Sequence, residues 1–236
     1  YSFKERLEIM RQLDRLNCDV IELPVIKNRR ADILLVRTAS SFVKHSVIAV
    51  AAGSTAESIE AAAESLSGAV LPRIRIELPV SPVGMEYSLH MKPEAMLGWI
   101  EKSVARAREL CADVEFCAVD ATRAGENYLV SALLAAKNKG AAELSVCDSA
   151  GTMLPGDFAA FVSKISERID SPVGVSCHNR NGLAGACAIT AVMSGAESVK
   201  TAVGGDLAST EEFAQMVKNC GDDYGLETSL TYTELR

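Results

Sequence analysis

Five short polar clusters, each placed after an apolar run, hold most of the residues in this chain that could do chemistry. They are Ser81-Pro82-Val83-Gly84-Met85-Glu86-Tyr87, Asp120-Ala121-Thr122-Arg123, Asp148-Ser149-Ala150-Gly151, His178-Asn179-Arg180-Asn181-Gly182 and Gly204-Gly205-Asp206. Together they supply carboxylates, guanidiniums, hydroxyls and an imidazole, the groups that hold a carboxylate ligand and move a proton. Each also has a plainer reading. Asp120 or Asp148 could cap the next helix, and Arg123 could pair with Asp120 as a structural ion pair. His178 is one of three histidines and the one at a strand end, whereas His45 and His90 read as helix or loop residues. No H-x-H, H-E-x-x-H or C-x-x-C spacing is present. Cys147 adjoins Asp148 and Cys177 adjoins His178, but neighbouring strand residues face opposite ways, so these read as core thiols. Lys200, on a strand, is a candidate for Schiff-base chemistry. Gly204-Gly205 ahead of a capped helix fits an anion cradle or a plain turn.

Such groups need elements to position them. Short apolar, β-branched runs predict strands over residues 19–23, 46–52, 73–79, 113–119, 143–147, 173–177 and 198–203. Their starts are spaced by about 30 residues, the length of one strand–helix–strand unit. Nearly every run reads as apolar on both faces, as parallel strands buried on both sides are. Ser2 and Ser209 stand as caps ahead of helical patterns, and Pro93 and Pro155 suit first turns. Residues 32–43 fit either a strand or a helix, and their length favours a helix. The expected architecture is α/β, a TIM (β/α)8 barrel. Seven strands are counted, so the first is expected to lie before Tyr1, and residues 1–236 read as a single barrel domain. An open doubly wound sheet is the rival, but no G-x-G-x-x-G follows the first strand. In a barrel, functional groups sit at the C-terminal strand ends, where all five clusters fall.

Composition narrows the partners. The chain has 236 residues, 24 Lys and Arg against 31 Asp and Glu, and a net charge of −7. No basic stripe suits nucleic acid, and no apolar run reaches the ~18 residues that span a bilayer. The seven cysteines are an odd set, and no signal-peptide pattern opens the chain. A cytoplasmic protein with reduced thiols is expected. The polar stretch over residues 222–236 is expected to be a short tail rather than a regulatory domain, so no amino-acid feedback is expected.

The clusters, taken in order, resemble the family of HMG-CoA lyase, isopropylmalate synthase, homocitrate synthase and citramalate synthase. The likeness begins at Phe3-Lys4-Glu5-Arg6-Leu7-Glu8-Ile9 and Leu16-Asn17-Cys18-Asp19-Val20-Ile21-Glu22. It runs through Ser81–Tyr87, Val114-Glu115-Phe116 with Asp120–Arg123, and Asp148–Thr152, to Cys177-His178-Asn179 with Gly182-Leu183-Ala184. Within the group it looks closest to the homocitrate-synthase branch. The resemblance implies a TIM barrel that makes or breaks a carbon–carbon bond between an acyl-CoA and a 2-oxo acid. It also implies a divalent metal that polarises the keto oxygen, a homodimer, and small carboxylates as ligands.

This sequence departs from that pattern at the metal. The H-x-H reads Ser176-Cys177-His178, the acidic residue after His-Asn is Arg180, and no Asn occurs between Asn181 and Asn219. The Glu usually ahead of Asp120 is Val119, and the usual Thr after Asp148 is Ser149. His178 is then the one visible metal-ligand candidate where about three protein donors are needed, so a degenerate metal site is expected. The resemblance assigns His178, Arg123 and Asp120 to catalysis and Ser149, Arg180, Asn179 and Asp148 to substrate binding. Three functions are expected to compete: an acyl-CoA/2-oxo-acid acyltransferase or reverse lyase with an altered site, a non-catalytic carboxylate-binding relative, and a metal-free aldolase using Lys200 or His178.

Overall fold

Strands and helices alternate along the chain, as the spacing of apolar runs requires. The computed structural model describes residues 1–234. The strands are β1 (Val20–Leu23), β2 (Val47–Ala52), β3 (Pro72–Pro79), β4 (Val114–Val119), β5 (Glu143–Asp148), β6 (Gly174–Cys177), β7 (Ser198–Ala202) and β8 (Ala208–Ser209). All pair in parallel and in sequential order. Between and around them lie α1 (Phe3–Arg15), α2 (Arg29–Ser40), α3 (Ala56–Ser65), the single turn α4 (Pro82–Gly84), α5 (Pro93–Leu110), α6 (Glu126–Asn138), α7 (Pro155–Ile169), α8 (Ala184–Met193) and α9 (Thr210–Tyr224).

The expectation of seven strands, with the first of the barrel before Tyr1, is corrected: the described residues themselves hold eight parallel strands. The extra one, β8, is two residues long, too short to show a period of its own. Residues 32–43 are mainly helical, because Ile33, Leu35, Val36 and Ala39 bury one face of α2 while Asn28 caps its start. Ser2 closes a capping box with Glu5, and Ser209 accepts from the Glu212 amide to open α9. Pro93 and Pro155 occupy the first turns of α5 and α7.

The two faces of the sheet differ. The outer face is apolar: Ile48, Val50, Ile74, Ile76, Leu78 and Phe116 are buried with Met96, Ile100, Leu133 and Phe158 of the surrounding helices. The inner face is not, which corrects the expectation of apolar strands on both sides. Arg73, Arg75 and Glu77 alternate along β3, so all three point to the barrel axis. Arg75 bridges Glu22 of β1 and Glu77, the latter at 2.6 Å, while Lys200 of β7 bridges Glu22 and Glu115 of β4, the latter at 2.7 Å. Lower in the barrel Arg73 joins Asp113 at 2.9 Å and Glu143, which also accepts from Ser198 at 2.7 Å. Burial opposes the charge on Glu115, yet Lys200 and Arg75 outweigh it and hold this carboxyl below its ordinary value. Burial likewise opposes the charge on Lys200, and Glu115 and Glu22 outweigh it, holding the amine above its ordinary value.

These pairs also close the barrel. Among the described residues no ladder joins β1 to β7 or β8. The seam is crossed inside by Lys200 and Glu22. At one end Tyr1 Oη donates to the Val203 carbonyl at 3.2 Å, and at the other the Thr231 amide donates to Leu16 O at 2.8 Å.

Candidate active site

The C-terminal strand ends gather most of the candidate residues into one hydrogen-bonded web. Asp120 ends β4 in a left-handed conformation (φ 60°, ψ 37°), which turns its buried carboxylate back over the barrel mouth. Arg123, one turn on, donates through Nε and Nη2 to the two carboxylate oxygens, each at 2.7 Å. Ser81, from the loop after β3, donates its hydroxyl to the same carboxylate and accepts from the Gly84 amide at 3.0 Å, as the cap of α4. The Asp120 amide donates to Ser149 Oγ at 3.0 Å. Three strand ends thus converge on one aspartate.

Asp148 forms the second node. Its carboxylate, 2% exposed, accepts from Thr122 Oγ1 at 2.8 Å and from the Gly151 and Met153 amides at 3.2 Å each. It therefore holds the β5–α7 loop, a structural role among the alternatives weighed for it. Gly151 permits the close approach of the next loop: with φ 63°, it would set a Cβ only 2.6 Å from the His178 carbonyl. His178 is half-buried after β6, its amide donating to Asp148 O at 3.1 Å. Cys177 packs outward beside Cys187, so alternation turns His178 toward the axis. Its imidazole makes no hydrogen bond among the described residues, leaving both ring nitrogens for a ligand.

The remaining candidates divide. Asn179 Oδ1 accepts from the Ala184 amide at 3.1 Å, so it supports the start of α8, while its own amide meets Asp206 O at 2.5 Å. Arg180 is exposed and joins none of this web. Arg123 is doubly committed to Asp120, the ion pair weighed from sequence, but its side chain is 53% exposed and Nη1 has no partner among the described residues. Lys200 lies below the mouth between two carboxylates, charged and 9% exposed, which removes it as an amine nucleophile. Gly204 and Gly205 form a turn with φ 68° and 125°, beside the Tyr1 hydroxyl.

Sequence reading missed Thr122 and Ser81 as holders of the two aspartates, and it missed the charged floor beneath them. The alternation Arg73, Arg75, Glu77 was the available signal for that floor. A separate cleft of about 500 Å³, with Arg11, Arg15, Phe42 and His45 in its walls, opens at the opposite end of the barrel. In this fold that end serves stability, so the strand-end web is the better candidate.

A family model described as HMGL-like matches residues 1–236. The chain belongs to the HMGL-like family. Among its curated relatives, the 2-isopropylmalate synthase of Clostridium kluyveri is 32% identical over 99% of this chain and 47% of its own length. The Heliobacterium modesticaldum 2-isopropylmalate synthase is 34% identical over 99% and 48%. The chain thus spans about half the length of the curated relatives it matches. These relatives are isopropylmalate synthases, whereas the motifs leaned to the homocitrate branch. HMG-CoA lyase structures share the fold: that of Pseudomonas aeruginosa has a TM-score of 0.82 at 12% identity, covering 100% of this chain and 83% of that one. The Acinetobacter baumannii HMG-CoA lyase in complex with coenzyme A and 3-methylmalate has a TM-score of 0.79 at 14% identity, covering 99% and 81%. The architecture is accordingly a TIM barrel.

Among the described residues no three His, Cys, Asp or Glu side chains converge as metal ligands. Ser176 is buried two residues before His178, where its small hydroxyl is a poor metal donor.

Proposed function

We propose that this domain joins an acyl-CoA to a 2-oxo acid, or runs the reverse carbon–carbon cleavage, at the Asp120–Ser149–His178 mouth. One observation carries the reading: Asp120 presents an oriented guanidinium, Arg123, with one open edge beside the Ser149 hydroxyl's strand end. An oriented guanidinium favours a carboxylate over other ligands. The Ser149 hydroxyl, which accepts from Asp120, keeps its proton to donate to the keto or carboxylate oxygen. In this reading His178, whose imidazole has no partner among the described residues, takes the proton from the carbon next to the thioester. Attack of that carbon on the keto carbon, followed by thioester hydrolysis, gives a hydroxy diacid and free coenzyme A. The Acinetobacter lyase carries coenzyme A and a methylmalate on the same architecture, which supports this ligand class.

The test is thiol release from acetyl-CoA across a panel of 2-oxo acids, with and without added divalent metals. Release that depends on one acid and falls about 10²-fold in Arg123→Ala is the expected result. No release with any acid contradicts it. A second reading, carboxylate binding without turnover, is favoured by the poor metal donor set. It predicts thermal stabilisation by a carboxylate with no thiol released.

A further inference from the structure

Two of the seven thiols meet inside the barrel. Cys117 of β4 and Cys147 of β5 bring their Sγ atoms to 3.3 Å. Cys117 is in register with Ser145, and Cys147 lies two residues further along β5, so both face the axis. They sit directly beneath the strand ends that carry Asp120 and Asp148. Their surroundings are not those of a greasy core thiol. Arg75 and Lys200 lie near enough to favour the thiolate at both sulfurs. The hydrogen bond from Cys147, helped by these cations against burial, draws the Cys117 thiol below its ordinary value; the same bond and burial push Cys147 up. Of the two, Cys117 is therefore the more acidic thiol. Cys147 keeps 7% of its surface exposed and Cys117 1%, so Cys147 is the member nearer solvent.

We propose that Cys117 and Cys147 are a peroxide-sensitive dithiol whose oxidation to a disulfide ties β4 to β5 beneath the mouth. One sulfur, as thiolate, attacks hydrogen peroxide, giving a sulfenic acid and hydroxide. The second displaces hydroxide from that sulfenic sulfur and forms the S–S bond. The two thiol protons leave in two waters, and the two electrons reduce one peroxide. Elsewhere burial holds Cys177 and Cys187 above the ordinary thiol value, so those two, although near one another, stay protonated and slow.

The test uses the whole chain, treated with about one equivalent of hydrogen peroxide, alkylated and digested without reduction. The expected product is a linked peptide pair containing Cys117 and Cys147, lost on treatment with dithiothreitol. Cys147→Ser, treated alike, gives no such link, while Cys177→Ser behaves as the wild type. Should Cys147→Ser fail to fold, the wild-type map alone decides. Recovery of both cysteines alkylated, their separate over-oxidation, or a link formed only between Cys177 and Cys187 overturns the proposal.

Discussion

At the scale of the residue, the site depends on keeping Asp120 in a conformation it would not choose. A left-handed backbone costs a non-glycine residue roughly 1–2 kcal/mol. Ser149 offsets part of this by accepting the Asp120 amide, and Arg123 with Ser81 fixes the carboxylate that results. Ser149→Ala leaves that amide without its acceptor. It should lower stability by about 1 kcal/mol in urea unfolding and weaken 2-oxo-acid binding. Ser149→Thr, which keeps the hydroxyl, should restore both. The pairing of Arg123 with Asp120 was foreseeable from their spacing, because residues three apart share a face of a helical turn. That Ser81 also donates to Asp120 was not, because 39 residues separate them.

At the scale of the element, two loops must touch for His178 to stand beside Asp148. The β5–α7 loop is held by the buried Asp148 carboxylate, which accepts three hydrogen bonds. Asp148→Ala should cost about 2–3 kcal/mol by urea unfolding, since it strands two amides and a hydroxyl. Gly151→Ala acts differently. Its methyl would meet the His178 carbonyl at 2.6 Å in a backbone conformation that L side chains rarely adopt. The expected loss is about 1–3 kcal/mol, with 2-oxo-acid binding reduced as the β6–α8 loop is pushed away. The strand boundaries were legible to within about one residue, because long apolar runs with turn residues on each side carry a strong period. The two-residue β8 was not, because its pairing is set by the turn that precedes it.

At the scale of the molecule, a charged network fills the axis that the strands were expected to line with apolar groups. Lys200→Met would leave Glu115, fully buried, without its nearest cation. Loss of about 3 kcal/mol is expected, with little change in 1 M salt because the pair is screened only weakly. The pH response follows from the direction of each shift. Glu115 is held below its ordinary value, so its contribution is present above the unfolded value and is lost as pH falls through the folded one. Lys200 is held above its ordinary value, so its share is present below the unfolded value and is lost only in strong alkali. Urea unfolding from about pH 8 to about pH 3 should therefore show stability falling in the acid range, and Glu115→Gln should flatten that fall. The network escaped the sequence reading because its members come from β1, β3, β4, β5 and β7, each strand adding only one to three charges.

The measurement that tests the central claim most directly is product analysis with carbon-labelled acetyl-CoA and a 2-oxo acid, run on the wild type and Arg123→Ala together. A labelled hydroxy diacid from the wild type, cut about 10²-fold by the substitution, is the result expected of carbon–carbon chemistry at this mouth. Absence of labelled product with every acid tried, or equal yield from both chains, would contradict it.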